Sequence, residues 1–279
     1  ISTAADPQFK KLSISPEHAN QLKKRHHIQG DFVMYTGGID YRKNIEGLIE
    51  AYSMLPSSLR SSYPLAIICK IEPNEQAKLR NYCTKLKLPE EQVIFTGFVS
   101  EEDLIDLYNI CHVFIFPSKH EGFGLPALEA MLCGAPVIAS NTSSLPEVVG
   151  LKEALFNPEN PKEIADILQR AISDNSFRKH LLANGESQSI KFGWSHTAKA
   201  AISAMEEHAK NSQILQNRDG VTENFKTDRL RLALVTPLPY EKTGIADYCA
   251  ELIPALSEHY DIDGVSDQKT FDNSIVGLN

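Results

Sequence analysis

The chain has 279 residues, of which 42% are hydrophobic and 23% are charged. This composition is ordinary for a globular protein and supplies enough apolar residues for a large core. The formal net charge of −8 and the absence of any long run of Lys or Arg argue against a broad nucleic-acid interface. Any anion that binds this chain must therefore be held by a few local groups.

The cysteines and the apolar runs indicate where such a protein would reside. The five cysteines are widely spaced and form neither a Cys-x-x-Cys pair nor a zinc-ligand pattern, so we expect reduced thiols in a cytoplasmic protein. No apolar run approaches the ~20 residues that cross a bilayer, and the first residues contain no signal-peptide core. The chain also begins without a methionine, from which we expect a fragment or a processed product.

From about residue 32 to residue 210, short apolar runs alternate with longer amphipathic ones. The predicted strands cover residues 32–37, 65–70, 92–97, 112–118 and 136–140. The predicted helices cover residues 44–54, 74–87, 101–109, 125–133, 161–172, 174–185 and 195–209. Such alternation is typical of parallel strands that are covered by helices on both faces. We therefore predict an α/β domain with a doubly wound, Rossmann-like sheet over residues 1–209.

The sequence changes character after this domain. Residues 210–228 are polar and show no sustained period, which predicts a linker. A strand at 230–236, a loop at 237–244, a helix at 245–260 and a short strand at 261–265 follow. Residues 229–279 therefore predict the first strands and helix of a second α/β domain, a partial βαβ unit that is too short to close a core of its own.

Residues 121–129 read EGFGLPALE, in which two glutamates enclose seven residues without a polar side chain. This segment should join a strand to a helix that begins near Leu125, at the edge where doubly wound sheets bind ligands. Gly122 and Gly124 would let the backbone approach an anion closely, and the N–H groups of Gly124 and Leu125 would point at it. The two carboxylates would then meet opposite ends of one extended ligand. On spacing alone, a glycine turn with two solvated glutamates is an equal alternative.

The wider context carries a family resemblance. Residues 117–150, PSKHEGFGLPALEAMLCGAPVIASNTSSLPEVVG, resemble the signature of the retaining glycosyltransferases of family 4, which have the GT-B fold. The resemblance extends through MYTGGIDYRKNIEGLIEAY and VIFTGFVSEEDLIDLYNICHVFIFPS and covers about residues 30–210. It implies that the domain is the C-terminal half of a GT-B enzyme. In that family the first glutamate contacts donor sugar hydroxyls and the second the ribose; by position these are Glu121 and Glu129.

The resemblance also implies a diphosphate site in the segment GGIDYRKN. Family members commonly carry an Arg directly after the first glycine and a Lys five residues further on. Here Gly38 occupies the Arg position, whereas Lys43 is in place. We expect Lys43 to bind the donor diphosphate and Arg42 to supply the contact that Gly38 cannot. The alternative for Arg42 is a solvated residue at a helix start.

In the resembling family the nucleobase lies against the loops after the second and third strands. Our candidates are Ile71, Phe98 and Val99, with ordinary loop packing as the alternative. His112 and His120 are titratable groups nearby, of which His120 adjoins the motif but is expected to be solvated. Glu121 and Lys43 are the predicted catalytic residues, and the predicted donor-binding set is Gly37, Gly38, Arg42, Lys43, Ile71, Phe98, Val99, Glu121, Gly122, Phe123, Gly124, Leu125 and Glu129.

The resemblance further implies the reaction and its partners. Such enzymes transfer a sugar from a GDP- or UDP-linked donor with retention of configuration and use no metal or other cofactor. We expect mannose transfer from GDP-mannose in bacterial surface polysaccharide synthesis. A glycan or lipid-linked glycan acceptor would bind an N-terminal domain that we expect to be missing, so that the fragment alone is inactive. Peripheral association of the full-length enzyme with a membrane is one option.

The tail carries a resemblance of its own. Residues 229–263, RLRLALVTPLPYEKTGIADYCAELIPALSEHYDID, resemble the opening strand, glycine loop and helix of a GT-B N-terminal domain, with Gly244 as the close-approach glycine. We therefore expect a tandem protein, with an extension packed on the first domain as the alternative. Two further functions stay open for the chain: a nucleotide-sugar epimerase of the same architecture and a non-catalytic binding or scaffolding module.

Overall fold

A computed structural model of the protein describes residues 3–211, 230–236 and 244–265. The chain divides into two compact units, one of Ala5–Lys191 and one of the first four residues together with the chain from Phe192 onward. The sequence predicts that the first domain ends at residue 209, whereas the larger unit of the structure ends at Lys191. Residues 212–228 of the predicted linker and residues 237–243 of the predicted loop lie outside the described residues.

The larger unit contains a six-stranded sheet in which every neighbouring pair of strands is parallel. The strands in chain order are β1 (Val33–Thr36), β2 (Leu65–Ile68), β3 (Val93–Phe95), β4 (Val113–Phe116), β5 (Val137–Ser140) and β6 (Leu155–Phe156). They are buried almost throughout, which is why their sequences are runs of Val, Ile and Phe rather than alternating patterns. The predicted doubly wound sheet is confirmed. The sequence pattern missed β6, because two residues show no period.

Helices flank this sheet. They are α1 (Pro16–Arg25), α2 (Ile45–Ser53), α3 (Ser57–Ser62), α4 (Pro73–Lys85), α5 (Glu101–Ile110), α6 (Leu125–Leu132), α7 (Leu145–Val149), α8 (Pro161–Ser173) and α9 (Asn175–Ser189). Side chains of Ser15, Ser100, Asn160 and Asp174 accept hydrogen bonds from first-turn N–H groups and fix where four of the helices begin. The pattern analysis missed α1, α3 and α7, which are polar or very short. Among the described helices, none is long and apolar enough to cross a membrane.

The strand order β3-β2-β1-β4-β5-β6 determines where a ligand can bind. The chain winds outward in one direction from β1 and in the other from β4, so the connections that leave these two strands diverge. This reversal opens a crevice beyond their carboxyl ends. The loops that follow β1 and β4 are residues 37–44 and 117–124. The first is the GGIDYRKN segment, and the second holds the first glutamate and the glycine turn of the 121–129 motif, whose remaining residues begin α6.

The smaller unit is built on the predicted partial βαβ tail. Its described elements are α10 (Trp194–Asn211), β7 (Arg231–Val235), α11 (Gly244–Ser257) and β8 (Asp261–Val265). Strands β7 and β8 pair in parallel. An apolar cluster holds the unit together and joins α10 to α11 and β8; its buried members are Ala198, Ile202, Cys249, Ile253, Leu256, Tyr260 and Ile262. The proposed role of Gly244 depends on the preceding loop, which lies outside the described residues.

Candidate functional site

The loop after β1 begins with two glycines whose conformation is fixed by a buried tyrosine. The hydroxyl of Tyr35 donates to the carbonyl oxygen of Gly38 at 2.7 Å. A Cβ atom at Gly37 would lie 2.8 Å from that hydroxyl oxygen, and the φ of Gly37 is 142°. A side chain at this position would therefore meet both a collision and an unfavourable backbone angle. Tyr35 and Gly37 together keep the chain close to the end of the sheet.

Hydrogen bonds to backbone carbonyl oxygens join this loop to the one that follows β4. Asn44 adopts a left-handed φ of 58°, and its Nδ2 donates to the carbonyl oxygens of Pro117 at 3.2 Å and Pro158 at 2.8 Å. The N–H of Lys119 donates to the carbonyl oxygen of Arg42 at 2.7 Å. The two loops that the topology brings to one crevice are thus joined, and Lys43 lies between these contacts.

The glycine turn after β4 leads into α6. Gly124 precedes the helix with a φ of 106°, and a Cβ atom there would lie 2.5 Å from Cδ2 of Leu145, so only glycine fits. A Cβ atom at Gly122 would instead meet no protein atom within 4 Å. The space beside Gly122 is therefore open, as the approach of a ligand to its backbone requires.

Two serines from the loop after β5 support this turn. The hydroxyl oxygen of Ser143 accepts from the N–H of Glu121 at 3.0 Å, and the hydroxyl of Ser144 donates to the carbonyl oxygen of Phe123 at 2.7 Å. These two serines were not singled out from the sequence, because α7, the short helix that follows them, was not predicted either. They hold the backbone of the glutamate motif in place.

Lys43 and Glu121, the two predicted catalytic residues, meet in the crevice. Lys43 Nζ donates to Glu121 Oε1 at 2.7 Å, and the side chains are only 18% and 13% exposed. The ammonium also lies 5.6 Å from the ring centre of Phe116, at the end of β4. An ammonium group has three N–H donors, so Lys43 retains donors for a second anion while it contacts Glu121. The crevice thus presents a cation and a carboxylate side by side.

Arg42 is engaged elsewhere in the structure. Its Nε donates to Asp40 Oδ1 at 2.9 Å, and its own backbone N–H donates to the same oxygen at 3.1 Å. These contacts hold the pKa of the Asp40 carboxyl below its usual value, chiefly through the side-chain hydrogen bond of Arg42. Both side chains are well exposed, so the ion pair is weak. Arg42 would have to leave Asp40 to reach a ligand, and its role stays a prediction.

Glu129, the second motif glutamate, lies one turn into α6 and contacts a buried tyrosine. The hydroxyl of Tyr108 in α5 donates to Glu129 Oε2 at 3.1 Å. Burial raises the pKa of Glu129 to about 7; the Tyr108 hydrogen bond opposes the shift, and the charges of Glu101 and Asp6 add to it. Tyr108 was not predicted as a site residue, because a tyrosine on the apolar face of an amphipathic helix is usually a core residue.

The three predicted base-binding residues lie on the loops after β2 and β3. Phe98 is 77% exposed, whereas Ile71 and Val99 are half-buried. An aromatic ring so exposed at the carboxyl edge of the sheet is available for stacking. His112 lies at the opposite end of β4, packed against Tyr63, and burial lowers its pKa. His120 is exposed.

A groove of about 480 Å³ lies behind the Gly37–Lys43 loop, between α2 and α4. Its charged lining is mainly acidic: Asp40, Glu46, Glu50, Glu75 and Glu159, with Lys78 and Lys119. Both lysines already contact carboxylates of the groove. A diphosphate would be repelled there, which favours the crevice at Lys43. Among the described residues, no three His, Cys, Asp or Glu side chains are grouped to hold a metal ion.

The family model described as "Glycosyl transferases group 1" matches residues 19–188, which include both motif loops. The chain belongs to this glycosyltransferase family. Serotype-specific mannosyltransferase WbdA of Escherichia coli is 40% identical over 232 residues, 83% of this chain but 28% of that protein's length. O-antigen chain mannosyltransferase B of E. coli is 38% identical over 173 residues, 62% of this chain and 45% of the relative.

A solved structure agrees with the fold. Anabaena HepE, determined in complex with UDP and glucose, superposes with a TM-score of 0.57 and 26% identity, over 67% of this chain and 50% of HepE. The chain therefore spans about a quarter to a half of the length of these relatives. The doubly wound unit corresponds to one half of a GT-B glycosyltransferase.

Proposed function

We propose that this chain is the donor-binding half of a retaining glycosyltransferase and takes a nucleoside-diphosphate sugar. The observation that carries the proposal is the Lys43–Glu121 pair, which lies where the strand order reverses and beside a glycine turn at the N-terminus of α6. A cation, a helix N-terminus and open backbone together suit a diphosphate. The adjacent carboxylate suits the hydroxyls of the sugar that the diphosphate carries.

Each part of the donor has its own partner in this proposal. Lys43 and the N–H groups of Gly124 and Leu125 bind the diphosphate, Glu121 accepts from sugar hydroxyls and Glu129 accepts from ribose hydroxyls. Ile71, Phe98 and Val99 contact the base. Arg42 is a second cation for the phosphates once it leaves Asp40.

The proposed reaction retains the anomeric configuration. The acceptor hydroxyl oxygen bonds the anomeric carbon on the same face from which the diphosphate departs, and the hydroxyl proton passes to a diphosphate oxygen. Negative charge develops on the leaving diphosphate, and Lys43 and the α6 N-terminus stabilise it without a metal ion. In this proposal a facing domain holds the acceptor that carries this hydroxyl, because the crevice residues are all assigned to the donor.

We propose GDP-mannose as the donor and a glycan or lipid-linked glycan as the acceptor, in surface polysaccharide synthesis. The names of the two E. coli mannosyltransferase relatives support the sugar and the pathway. HepE, whose complex holds UDP and glucose, makes UDP the alternative nucleotide. A cytoplasmic location is also proposed; all five cysteines are free thiols, and four of them are buried.

Thermal melting with a panel of nucleotides tests this function. GDP, UDP, GDP-mannose and UDP-glucose are compared with guanosine and with inorganic diphosphate. A nucleotide present at about 100 times its Kd should stabilise the chain by about 2.7 kcal/mol, which raises Tm by several degrees. The largest rise is expected with GDP-mannose. If no nucleotide raises Tm, the donor-binding proposal is wrong. If a nucleotide raises Tm, but a longer protein that includes the facing domain transfers no sugar, a scaffolding module would be favoured.

The two glycines of the motif should separate binding from folding. Gly122→Ala places a methyl group in the open space where we expect the diphosphate, so it should weaken GDP binding at least several-fold and leave Tm unchanged. Gly124→Ala meets Leu145 and a left-handed φ, so it should lower stability by ~1–3 kcal/mol. Calorimetric titration and thermal melting measure the two effects. Full GDP affinity in Gly122→Ala would place the diphosphate elsewhere.

A further inference from the structure

We propose that Tyr108 is a positioning residue for the ribose-binding carboxylate. Its hydroxyl holds Glu129 Oε2, so that Oε1 is the oxygen presented to the hydroxyls of the bound ribose. This inference rests on the proposed donor-binding function and adds to it a residue that does not itself touch the ligand. Its support is the contact geometry of α5 and α6.

The hydroxyl of Tyr108 is held in one place by its surroundings. The residue has no exposed surface. Its ring contacts Phe9 edge-to-face at 6.1 Å and Phe114 at 5.3 Å between ring centres. A ring packed on two sides cannot change rotamer without disturbing the core. The hydroxyl that reaches Glu129 is therefore fixed by packing, as a group that orients a binding residue must be.

The orientation of the Glu129 carboxylate depends on the hydrogen bond from Tyr108. The Tyr108 hydroxyl is the donor to Oε2, and no donor from the described part of the chain lies on Oε1. A largely buried carboxylate with one oxygen anchored has little freedom to turn. Its second oxygen can accept a hydrogen bond without first leaving a protein partner. Without Tyr108, Glu129 would have to reorient or take up a proton.

Burial of Glu129 and the charged groups around it should make its hydrogen bonds to ribose hydroxyls depend on pH. Glu101 at the start of α5 and Asp6 in the N-terminal segment are both acidic, and the thiol of Cys133, directly after α6, is also near. Burial and these carboxylates raise the pKa of Glu129 to about 7, and the Tyr108 hydroxyl opposes them. Ribose hydroxyls donate more strongly to an ionised carboxylate than to a neutral acid. Nucleotide affinity should therefore fall as pH drops below about 7.

Removal of the Tyr108 hydroxyl removes the group that favours the ionised form. In Tyr108→Phe the pKa of Glu129 should rise further, so the loss of affinity should begin at a higher pH than in the wild type. At pH 9 the carboxylate is ionised in both proteins, so the difference in affinity should narrow there to the part that comes from the lost orientation of Glu129. A purely structural effect of the substitution would lower affinity equally at all pH values.

The test is calorimetric titration of GDP, with UDP in parallel, into wild type and Tyr108→Phe between pH 6 and pH 9. Tyr108→Phe should weaken binding roughly 5- to 20-fold at pH 7 and shift the pH midpoint upward. The matched control is Tyr52→Phe. Tyr52 is also fully buried, and its hydroxyl donates to the carbonyl oxygens of Arg60 and Tyr63 near the other end of the sheet. It should keep wild-type affinity and midpoint.

A second arm uses Glu129→Gln as the background. The effect of Tyr108→Phe should largely vanish there, because the two residues act as one unit. Wild-type affinity and midpoint in Tyr108→Phe, or an undiminished loss in the Glu129→Gln background, would overturn the positioning role while donor binding stands. Failure of the wild type to bind either nucleotide would instead overturn the donor-binding function and this inference with it.

Discussion

Replacement of Lys43 by glutamine should weaken the binding of GDP or UDP roughly 10- to 100-fold and leave the binding of guanosine or uridine within about twofold. Lys43 lies in the loop after β1, where that loop is joined to the one after β4, and its side chain is largely buried beside Glu121. A charge-assisted hydrogen bond to phosphate is lost with it, whereas a nucleoside has no phosphate to lose. Glutamine keeps an N–H donor for Glu121, so the fold should be maintained.

Lys119 provides the matched control for this prediction. Its side chain is also 18% exposed and pairs with Glu159, but it lines the acidic groove behind the loop. Lys119→Gln should therefore leave GDP affinity unchanged within about twofold. Calorimetry on both variants, with melting curves to confirm folding, measures the difference. An equal loss for nucleoside and nucleoside diphosphate in Lys43→Gln would show that Lys43 does not bind the phosphates.

Substitution of Glu121 should separate turnover from nucleotide affinity. In a longer protein that joins this chain to an acceptor-binding domain, Glu121→Ala should reduce kcat about 100- to 1000-fold, since Glu121 is proposed to act at the reacting sugar. In the chain alone, Glu121→Gln removes a negative charge 2.7 Å from Lys43. GDP, which carries no sugar, should then bind about fivefold more tightly, because repulsion of about 1 kcal/mol is relieved.

The sugar-dependent part of the affinity should change in the opposite direction. Glu121→Gln should lose any preference for GDP-mannose over GDP, because the amide is a weaker acceptor for sugar hydroxyls. Titration of both ligands into both proteins gives the four affinities that are required. Weaker GDP binding in Glu121→Gln, together with an intact preference for GDP-mannose, would contradict the assignment of Glu121 to the sugar.

The main features of the fold could be predicted from the sequence for a physical reason. Strands buried on both faces appear in the sequence as runs of Val, Ile and Phe, so five of the six strands of the larger sheet were predicted. Amphipathic helices were recognised by the period of their apolar residues. The misses have equally simple causes. Strand β6 has only two residues, and α3 is a short polar helix whose N-cap residue, Pro56, makes no side-chain cap hydrogen bond. Neither presents a periodic pattern long enough to detect.

The site was predicted in part, because motifs name residues and not their contacts. The turn glycines and the pair of glutamates follow from spacing and from the resemblance. That Lys43 contacts Glu121 across 78 positions of sequence could not be inferred, since it depends on the junction of two loops by Asn44 and Lys119. Tyr108 was missed for a related reason: its hydroxyl contacts Glu129, but its ring belongs to the core. Arg42 is the opposite case: the motif predicts that it contacts the ligand, but in the structure its side chain pairs with Asp40.

A crystal structure of this chain with GDP is the most direct test of whether the crevice between the loops after β1 and β4 binds a nucleoside diphosphate. We expect diphosphate oxygens on Lys43 Nζ and on the N–H groups of Gly124 and Leu125. We also expect ribose hydroxyls on Glu129 Oε1 and the base beside Phe98. Nucleotide bound in the acidic groove between α2 and α4, or bound in the crevice with Lys43 and Glu129 both out of contact, would contradict this binding mode.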